Sequence, residues 1–204
     1  FDRLEKKSLV SLGAMISGYV QHGEGLLALE LFHNLREITE GYDEQLNPPL
    51  FSCILKACGI VDDVDQGKLV HENIIEDGLE CDLVVGNALI DMYSKCRSLN
   101  DAWQVFNNMS SRDIVSWNSI ISAYAQYGEI NKAFSVFEQM LSVGMKPDKV
   151  TFIALLSVSA DKSSLDEGRY IHMYVMDSGF SLERTIENAL VNMYGKCGIL
   201  TDAR

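Results

Sequence analysis

Histidine and cysteine are the residues of this chain whose types suggest metal or redox chemistry, but their spacing supports neither. The five cysteines form no C-x-x-C pair and have no histidine at zinc-binding spacing. Their odd number predicts reduced, mostly buried thiols. His71 and His172 lie in matching sequence surroundings, so we expect both to pack inside a repeated structure. No phosphate-binding glycine loop and no nucleophile with an ordered base is present, so we expect no enzyme, metal or cofactor.

Composition and charge narrow the class of protein further. Hydrophobic residues make up 47% of the 204-residue chain, and their 3.6-residue spacing with only three prolines favours an all-α fold. The formal net charge of −12 disfavours a protein that holds nucleic acid through a uniformly basic surface. No apolar run reaches the roughly 18 residues that span a bilayer, so no membrane contact is expected. Any contact with a polyanion must depend on a few locally arranged groups.

The sequence repeats itself with a long period. Residues 51–102 match residues 152–203 at an offset of 101, and residues 10–32 match residues 115–137 at an offset of 105. The difference between the offsets places a four-residue insertion within residues 33–50. A fixed long period indicates a solenoid, whose units bury their apolar faces only by stacking on one another.

Residues 114–148 show the repeating unit most clearly. Gly128 separates two apolar stripes of helical spacing. Gly144 can end the second helix in a left-handed conformation, and Pro147 prevents its continuation. The unit is therefore a short antiparallel helix hairpin, and three hairpins fit in each long period. The first stripe is Trp117, Ile120, Ile121 and Tyr124, and the second is Ile130, Ala133, Phe134, Phe137 and Met140.

Three segments resemble the plant pentatricopeptide repeat family, in its subclass with alternating P-, L- and S-type repeats. DIVSWNSIISAYAQYGEINKAFSVFEQMLSVGMKPD resembles the P-type pattern. TFIALLSVSADKSSLDEGRYIHMYVMDSGF resembles the L-type pattern, with its G-x-x-x-H helix, and NALIDMYSKCRSLNDAWQVFNNMSSRD resembles the shorter S-type pattern. The resemblance implies a right-handed α-α superhelix, which is a solenoid of antiparallel helix-hairpin repeats.

The family register divides the whole chain into repeats. Both ends then cut through repeats, which implies a piece of a longer protein. The segments are the tail of an S-type repeat at 1–8, a P-type repeat with the insertion at 9–47, an L-type repeat at 48–82, an S-type repeat at 83–113, a P-type repeat at 114–148, an L-type repeat at 149–183 and a truncated S-type repeat at 184–204.

In this family each repeat contacts about one base of single-stranded RNA through its fifth and last residues. Asparagine carries both a donor and an acceptor, so it can pair with a pyrimidine edge while the aspartate at the end of the repeat orients it from the start of the next helix. Asn with Asp implies uridine over cytidine, and Ser with Asp implies guanine. The implied base-reading residues are Asn87 with Asp113, Asn118 with Asp148, Ser52 with Asp82, and Asn188 of the truncated repeat.

Other positions of the register imply contacts with base faces and with phosphates. The second residue of a repeat wedges between bases, and a late residue of the first helix contacts a phosphate. Gly13, and Ile153 with Glu183, depart from the base-reading pattern, so we expect their repeats only to space the RNA. The implied wedges are Val10, Val84, Val115 and Val150, and the implied phosphate contacts are Lys95 and Lys196.

The resemblance implies that the chain binds single-stranded organellar RNA with sequence selectivity, in a mitochondrion or chloroplast. The specific role that it implies is recognition of C-to-U editing sites. RNA-editing proteins are implied as partners, and no small-molecule substrate is expected. The zinc deaminase signature is absent, so any deaminase-like domain would lie in a missing C-terminal segment. The alternative is a protein-binding scaffold of tetratricopeptide type, which has the same hairpin architecture. Its usual consensus lacks the 31-residue units and the Asn-bearing helix starts found here.

Overall fold

The structure is a computed structural model that describes residues 2–39, 46–180 and 183–199, and the side chains of 11–35, 46–180 and 183–199. The described residues form eleven α-helices, none of them long and apolar enough to cross a membrane. The prediction of an all-α fold built from helix hairpins is confirmed. In chain order the helices are α1 (Asp2–Gln21), α2 (Gly25–Thr39), α3 (Pro48–Val61), α4 (Val64–Glu76), α5 (Leu83–Lys95), α6 (Leu99–Asn108), α7 (Ile114–Gln126), α8 (Ile130–Ser142), α9 (Lys149–Asp161), α10 (Leu165–Ser178) and α11 (Arg184–Lys196).

Two compact units make up the chain, Phe1–Arg112 and Asp113–Arg204. Within the first unit, α3 packs against both α1 and α5, and each of the three also contacts the second helix of its own hairpin. Within the second unit, α9 packs in the same way between α7 and α11. In each unit the first helices of successive hairpins therefore lie side by side, which places equivalent residues of neighbouring repeats in a row.

The last residue of each predicted repeat from 9–47 onward lies immediately before a first helix, as its N-cap. Helix starts leave backbone N–H groups without partners, and a short side-chain oxygen can accept from them. Glu183 lies at this place before α11 but makes no such hydrogen bond. The residues whose side chains do accept from the first turn are Asn47, Asp82, Asp113 and Asp148.

One predicted repeat boundary, between residues 8 and 9, lies inside a helix. Residues 1–8 align with 106–113, where α6 ends at Asn108 and a non-helical connection follows. In contrast, α1 continues without a break from Asp2 to Gln21. The difference has a local cause, since Leu-Glu-Lys-Lys replaces Met-Ser-Ser-Arg and has much higher helix propensity.

Aromatic and aliphatic side chains between the helices form the core. The predicted stripe of α7 is buried, as is most of the stripe of α8, although Ile130 and Phe134 remain partly exposed. Burying one large apolar side chain contributes roughly 1.5–3 kcal/mol, so these contacts dominate the stability of each hairpin stack. The largest fully buried side chains include Phe32, Phe51, Phe106, Phe137 and Phe152.

Left-handed residues make the turns within and after the hairpins. Gly128 has φ +70° and Gly144 has φ +77°, as predicted from the sequence of the unit. The position of Gly128 is occupied by Asp62, Arg97 and Ser163 in three other described hairpins and by glycine in the rest. Arg97, for example, has φ +58° between α5 and α6, a conformation that costs a non-glycine residue roughly 1–2 kcal/mol.

Two consecutive residues of α5, Met92 and Tyr93, pack against the glycine and the histidine of the G-x-x-x-H sequence in α4. A Cβ atom on Gly67 would overlap Met92 Sδ and would lie 2.7 Å from Met92 Cε, so glycine makes room for the methionine. One helical turn later, His71 Nδ1 lies 2.9 Å from the Tyr93 hydroxyl. Burial lowers the pKa of His71 and raises the pKa of Tyr93, so the hydrogen bond joins a neutral imidazole and a neutral phenol.

The same contacts recur one long period later. Gly168 makes room for Met193, and His172 Nδ1 lies 2.8 Å from the Tyr194 hydroxyl. The prediction that His71 and its counterpart are packing residues is therefore confirmed. These pairs also explain why a helix with G-x-x-x-H precedes a helix with Met-Tyr.

The burial of the cysteines differs from the expectation. Cys58 is buried and Cys81 is exposed, whereas Cys53, Cys96 and Cys197 are partly exposed. The prediction of mostly buried thiols is wrong, because Cys96 and Cys197 lie just after the ends of α5 and α11, where packing is incomplete. Burial raises the pKa of Cys58 to about 12 and that of Cys96 to about 11, so both thiols are protonated at neutral pH.

Candidate nucleic-acid interface

The second and fifth residues of a repeat lie one turn apart on the same face of its first helix. In α7 these residues are Val115 and Asn118. Val115 is 50% exposed, whereas Asn118 is only 8% exposed. The apolar residue therefore reaches solvent, and the polar residue lies beneath the surface beside it.

Exposed valines recur at the second position of the repeats. Their exposure at one register position gives these first helices an apolar side chain that is accessible to solvent. The side chain of Val10, the remaining predicted wedge, lies outside the described residues. The exposed valines are Val84 at 57%, Val115 at 50% and Val150 at 46%.

Asn118 and Asp148 are brought together as the sequence predicts. Asn118 Nδ2 donates to Asp148 Oδ1 across 3.0 Å, between α7 and the start of α9. The same carboxylate oxygen accepts from the backbone N–H groups of Val150 and Thr151. Asp148 therefore caps α9 and holds the amide of Asn118 with one oxygen atom.

Sequence reasoning missed a third member of this group, Thr151. Its hydroxyl lies 2.6 Å from Asn118 Oδ1, and its Oγ1 accepts from the Asp148 backbone N–H at 3.2 Å. Thr151 is fully buried. The spacing Asp-x-x-Thr is that of a helix capping box, so the cap was visible in the sequence, although the contact with Asn118 was not.

Ser52 and Asp82 do not form a hydrogen-bonded pair in the described structure. Asp82 caps α5 by accepting from the Val85 backbone N–H at 3.0 Å. Ser52 Oγ is buried and has no hydrogen-bond partner within the part of the chain that the structure describes. A serine side chain is too short to repeat the contact that Asn118 makes with its aspartate.

Asn87 and Asp113 lie in different compact units, and each is described within its own unit. Asn87 is half-buried in α5, one turn after the exposed Val84. Asp113 forms a capping box with Ser116, whose backbone N–H donates to Asp113 Oδ1 at 2.9 Å. Asp113 thus repeats the capping geometry of Asp148 one repeat earlier.

The remaining fifth positions offer different surfaces. Asn188 is exposed on α11, and the last residue of its predicted repeat, with which it would pair, is not among the 204 residues of the chain. Ile153 is half-buried and apolar, and Gly13 has no side chain to offer. These two repeats lack the polar group that Asn118 presents at the same register position.

Both predicted phosphate contacts are engaged in ion pairs. Lys95 Nζ lies 2.6 Å from Asp91 Oδ2 within α5. Lys196 Nζ lies 2.5 Å from Asp161 Oδ1, which joins α11 to the end of α9. Both lysines are exposed, so the pairs are accessible to an incoming anion, and exposed pairs of this kind contribute at most about 1 kcal/mol.

The described side chains contain no group of three or more His, Cys, Asp or Glu residues able to hold a metal ion. The buried polar residues near the row of fifth positions are amide and hydroxyl groups, including Asn118, Ser116 and Thr151. Such groups donate and accept hydrogen bonds without titrating near neutral pH. The arrangement therefore suits recognition of a polar, planar ligand edge.

Comparison with known proteins identifies related chains. A family model described as the PPR repeat family matches residues 112–160, and one described as the PPR repeat matches residues 10–38 and 87–114. In Arabidopsis thaliana, the chain is 35% identical over 207 residues to pentatricopeptide repeat-containing protein At4g39530, and 37% identical over 203 residues to the mitochondrial pentatricopeptide repeat-containing protein At3g02330. Each alignment covers 100% of this chain, but only 24% and 22% of the respective relative. The chain thus spans about a quarter of the length of these relatives.

Solved structures share the fold. The complex of maize PPR10 with an 18-nt psaJ RNA element superposes with a TM-score of 0.71 at 22% identity, covering 96% of this chain and 29% of that one. The PPR domain of Arabidopsis thaliana protein-only RNase P 1, in complex with tRNA, superposes with a TM-score of 0.69 at 16% identity, covering 92% of this chain and 98% of that one. At these identities the likeness establishes the arrangement of the helices.

Proposed function

The chain belongs to the pentatricopeptide repeat family, and from this membership we propose that it binds single-stranded RNA, with about one base for each repeat. The geometry around Asn118 is the observation that carries the proposal. A buried, oriented amide lies beside an exposed valine, at a position that recurs along neighbouring first helices. Two solved relatives of the same fold are complexes with RNA.

The amide of Asn118 retains the groups needed to bind a base edge. One Nδ2 hydrogen is used on Asp148 and one Oδ1 lone pair is used on Thr151. The second hydrogen and the second lone pair remain for a ligand, since the amide has two donors and two acceptor sites. An adjacent donor and acceptor match the edge of a pyrimidine, which supports uridine or cytidine at this repeat.

The exposed valines supply the second part of the proposed contact. Val115 and Val150 occupy the same register position on the neighbouring helices α7 and α9. A base inserted between them would cover apolar side chains with its faces while its edge reached Asn118. Covering apolar area contributes about 25 cal/mol per Å², so the faces add affinity and the edge adds selectivity.

By the repeat register, Asn87 with Asp113 reads the neighbouring pyrimidine, and Ser52 with Asp82 reads a purine. The serine side chain is shorter than asparagine, which leaves room for a two-ring base. Val84 and Val10 occupy the wedge position of their own repeats, and Asn188 occupies the base-reading position of its repeat. Repeats with Gly13 or Ile153 act as spacers, because neither residue can bind a base edge.

Phosphate attraction contributes little to the proposed affinity. The net charge is −12, and Lys95 and Lys196 are each paired with an aspartate that a phosphate would have to displace. Binding is therefore governed by base contacts, and we expect weak binding to RNA of unrelated sequence. The similarity to relatives named mitochondrial and chloroplastic supports an organellar transcript as the target. The alternating register supports recognition of C-to-U editing sites with editing proteins as partners.

A change of base preference is the sharpest test of this function. We expect the wild-type chain, equilibrated with randomised short RNAs, to enrich two adjacent pyrimidines. We expect Asn118→Ser to convert one of these positions to guanine and to leave the other unchanged. A gain of preference of this kind does not arise from unfolding, and far-UV circular dichroism of both chains provides the matched control.

Two outcomes contradict the proposal. Identical enrichment by the wild type and the folded Asn118→Ser chain would mean that Asn118 does not contact a base. Failure of the folded wild-type chain to retain any RNA would exclude RNA binding by these repeats and would favour a protein-binding scaffold.

A further inference from the structure

We propose that Thr151 is a positioning residue that holds the amide of Asn118 in one orientation and so makes this repeat distinguish uracil from cytosine. The proposal rests on the proposed function, because it requires Asn118 to contact a base. Thr151 itself is fully buried, so it does not touch RNA. It acts through the hydrogen bond that it gives to Asn118.

The direction of each hydrogen bond in the group follows from its chemistry. The Asp148 backbone N–H can only donate, so Thr151 Oγ1 accepts from it at 3.2 Å. The single hydroxyl proton of Thr151 is then directed to Asn118 Oδ1, at 2.6 Å, rather than to the more distant Asp148 Oδ1 at 3.2 Å. The Asp148 carboxylate in turn accepts from Asn118 Nδ2 at 3.0 Å. Each of these three bonds joins a donor to an acceptor, so Nδ2 of the amide faces Asp148 and Oδ1 faces Thr151.

A fixed amide orientation matters because uracil and cytosine differ in the order of their polar groups. Uracil presents an acceptor at O4 beside a donor at N3, whereas cytosine presents a donor at N4 beside an acceptor at N3. An amide held in one orientation complements one of these orders. An amide free to rotate by half a turn complements both, so it binds pyrimidines without distinguishing them.

Thr151 does more than cap its own helix. Asp148 already caps α9, because it accepts from the backbone N–H groups of Val150 and Thr151. The hydroxyl proton of Thr151 is not needed for that cap, and it is donated to Asn118 Oδ1 in the preceding repeat. Removing the hydroxyl would leave Asp148 in place, but Asn118 Oδ1 would lose the hydrogen bond that it accepts from Thr151. Asn118 is only 8% exposed, so water would not readily replace that donor.

The sequences of the other repeats follow the same rule. At the five boundaries where the preceding fifth residue is in the sequence, the third residue after the boundary carries a hydroxyl only where that fifth residue is asparagine. The rule also separates two L-type repeats of the same register, since Leu50 follows Gly13 and Thr151 follows Asn118. The combinations of fifth, last and third residues are Gly13, Asn47 and Leu50; Ser52, Asp82 and Val85; Asn87, Asp113 and Ser116; Asn118, Asp148 and Thr151; and Ile153, Glu183 and Ile186.

The test measures base discrimination in variants that keep or remove the hydroxyl. The base read by Asn118 is first located as the position altered by Asn118→Ser. Affinities for RNAs with uracil or cytosine at that position are then measured by fluorescence anisotropy. We expect Thr151→Val, which keeps the shape of threonine, to reduce the ratio of the two affinities by about threefold to tenfold, the effect of one neutral hydrogen bond. Thr151→Ser restores the hydroxyl and is expected to restore the ratio.

A purely structural role for Thr151 predicts a different result. It would lower the affinity for both RNAs equally, in proportion to the loss of stability measured by urea unfolding. An unchanged ratio in Thr151→Val would therefore overturn the proposal. Thr151→Ala removes the hydroxyl without the valine methyl and provides the same measurement if the valine variant does not fold.

The outcome separates this proposal from the proposed function. If Asn118→Ser alters the preferred base and Thr151→Val leaves the ratio unchanged, base reading by Asn118 is retained and the role of Thr151 is rejected. If Asn118→Ser alters no base, both proposals are rejected together.

Discussion

Replacing Gly67 by alanine tests whether close packing explains the G-x-x-x-H helix. The added Cβ would lie 2.7 Å from Met92 Cε and 3.6 Å from Met92 Cγ. Ordinary contacts between carbon atoms lie near 3.5–4.0 Å, so the end of the methionine must move by about 1 Å. Met92 has no exposed surface, so its terminal atoms can move only into neighbouring side chains.

Two opposing effects set the expected size of the change. Overpacking a filled core costs about 1–3 kcal/mol, whereas Gly→Ala within a helix gains about 0.5–1 kcal/mol. Methionine is flexible and absorbs part of the strain, so we expect a net loss of about 1 kcal/mol. The free energy of unfolding, measured by urea titration with far-UV circular dichroism, gives this value.

Gly18 provides the matched control, because it lies inside α1 and an added Cβ there meets nothing within 4 Å. Gly18→Ala is expected to stabilise the chain by about 0.5–1 kcal/mol. The difference between the two alanine variants then reports the contact with Met92 alone. Equal stabilisation by both substitutions would refute the packing explanation. Additive effects of Gly67→Ala and Met92→Ala in a double-mutant cycle would refute it as well.

Two further predictions concern the turns and the histidine contacts. Arg97 has φ +58°, so Arg97→Gly is expected to stabilise the chain by about 1 kcal/mol, whereas Arg97→Ala, which keeps the Cβ, is expected to give no gain. Calorimetric melting temperatures rank the stability of the wild type and the two variants. An equal gain in both variants would contradict the strain at this turn. Burial lowers the pKa of His71 below its ordinary value of 6.5, so the unfolded chain takes up a proton on this residue more readily than the folded chain. The contribution of the neutral, buried His71 to the free energy of unfolding is therefore complete above about pH 6.5. It is lost as the pH falls toward the folded-state pKa. Urea unfolding between about pH 7 and pH 5 should therefore show a steeper loss of stability for the wild type than for His71→Asn, whose amide can still form a hydrogen bond with Tyr93. Parallel curves would contradict this assignment.

The hairpins and the residues that form them were predictable from the sequence. Apolar spacing locates α7 and α8, and the matching of residues 51–102 with 152–203 extends the same pattern along the chain. The pairing of Asn118 with Asp148 follows from the register of the family that the chain resembles, and the structure joins the two side chains by a hydrogen bond. Periodicity predicts the hairpins well, since it reflects the three-dimensional repeat directly.

Contacts that depend on local detail were not predictable in the same way. The alignment places a boundary after residue 8, but helix propensity keeps α1 continuous there. Lys196 pairs with Asp161, which is distant in sequence and belongs to a different helix. The bond from Thr151 to Asn118 likewise joins a capping residue to the preceding repeat. Each of these features depends on side-chain geometry that a register does not contain.

The capping role of the last residue limits which residues can take part in the proposed base reading. Asp148 must accept from the first turn of α9 before it can hold Asn118, so the position favours short side chains with an oxygen acceptor. Asn47, Asp82 and Asp113 satisfy this requirement, and all three cap a helix. Glu183 does not cap, and its repeat carries Ile153 where a base-reading residue would be. Helix formation and proposed recognition therefore depend on the same carboxylates. A negative charge at a helix N-terminus is stabilised by the helix dipole, which allows an acidic chain to keep these groups near a polyanion.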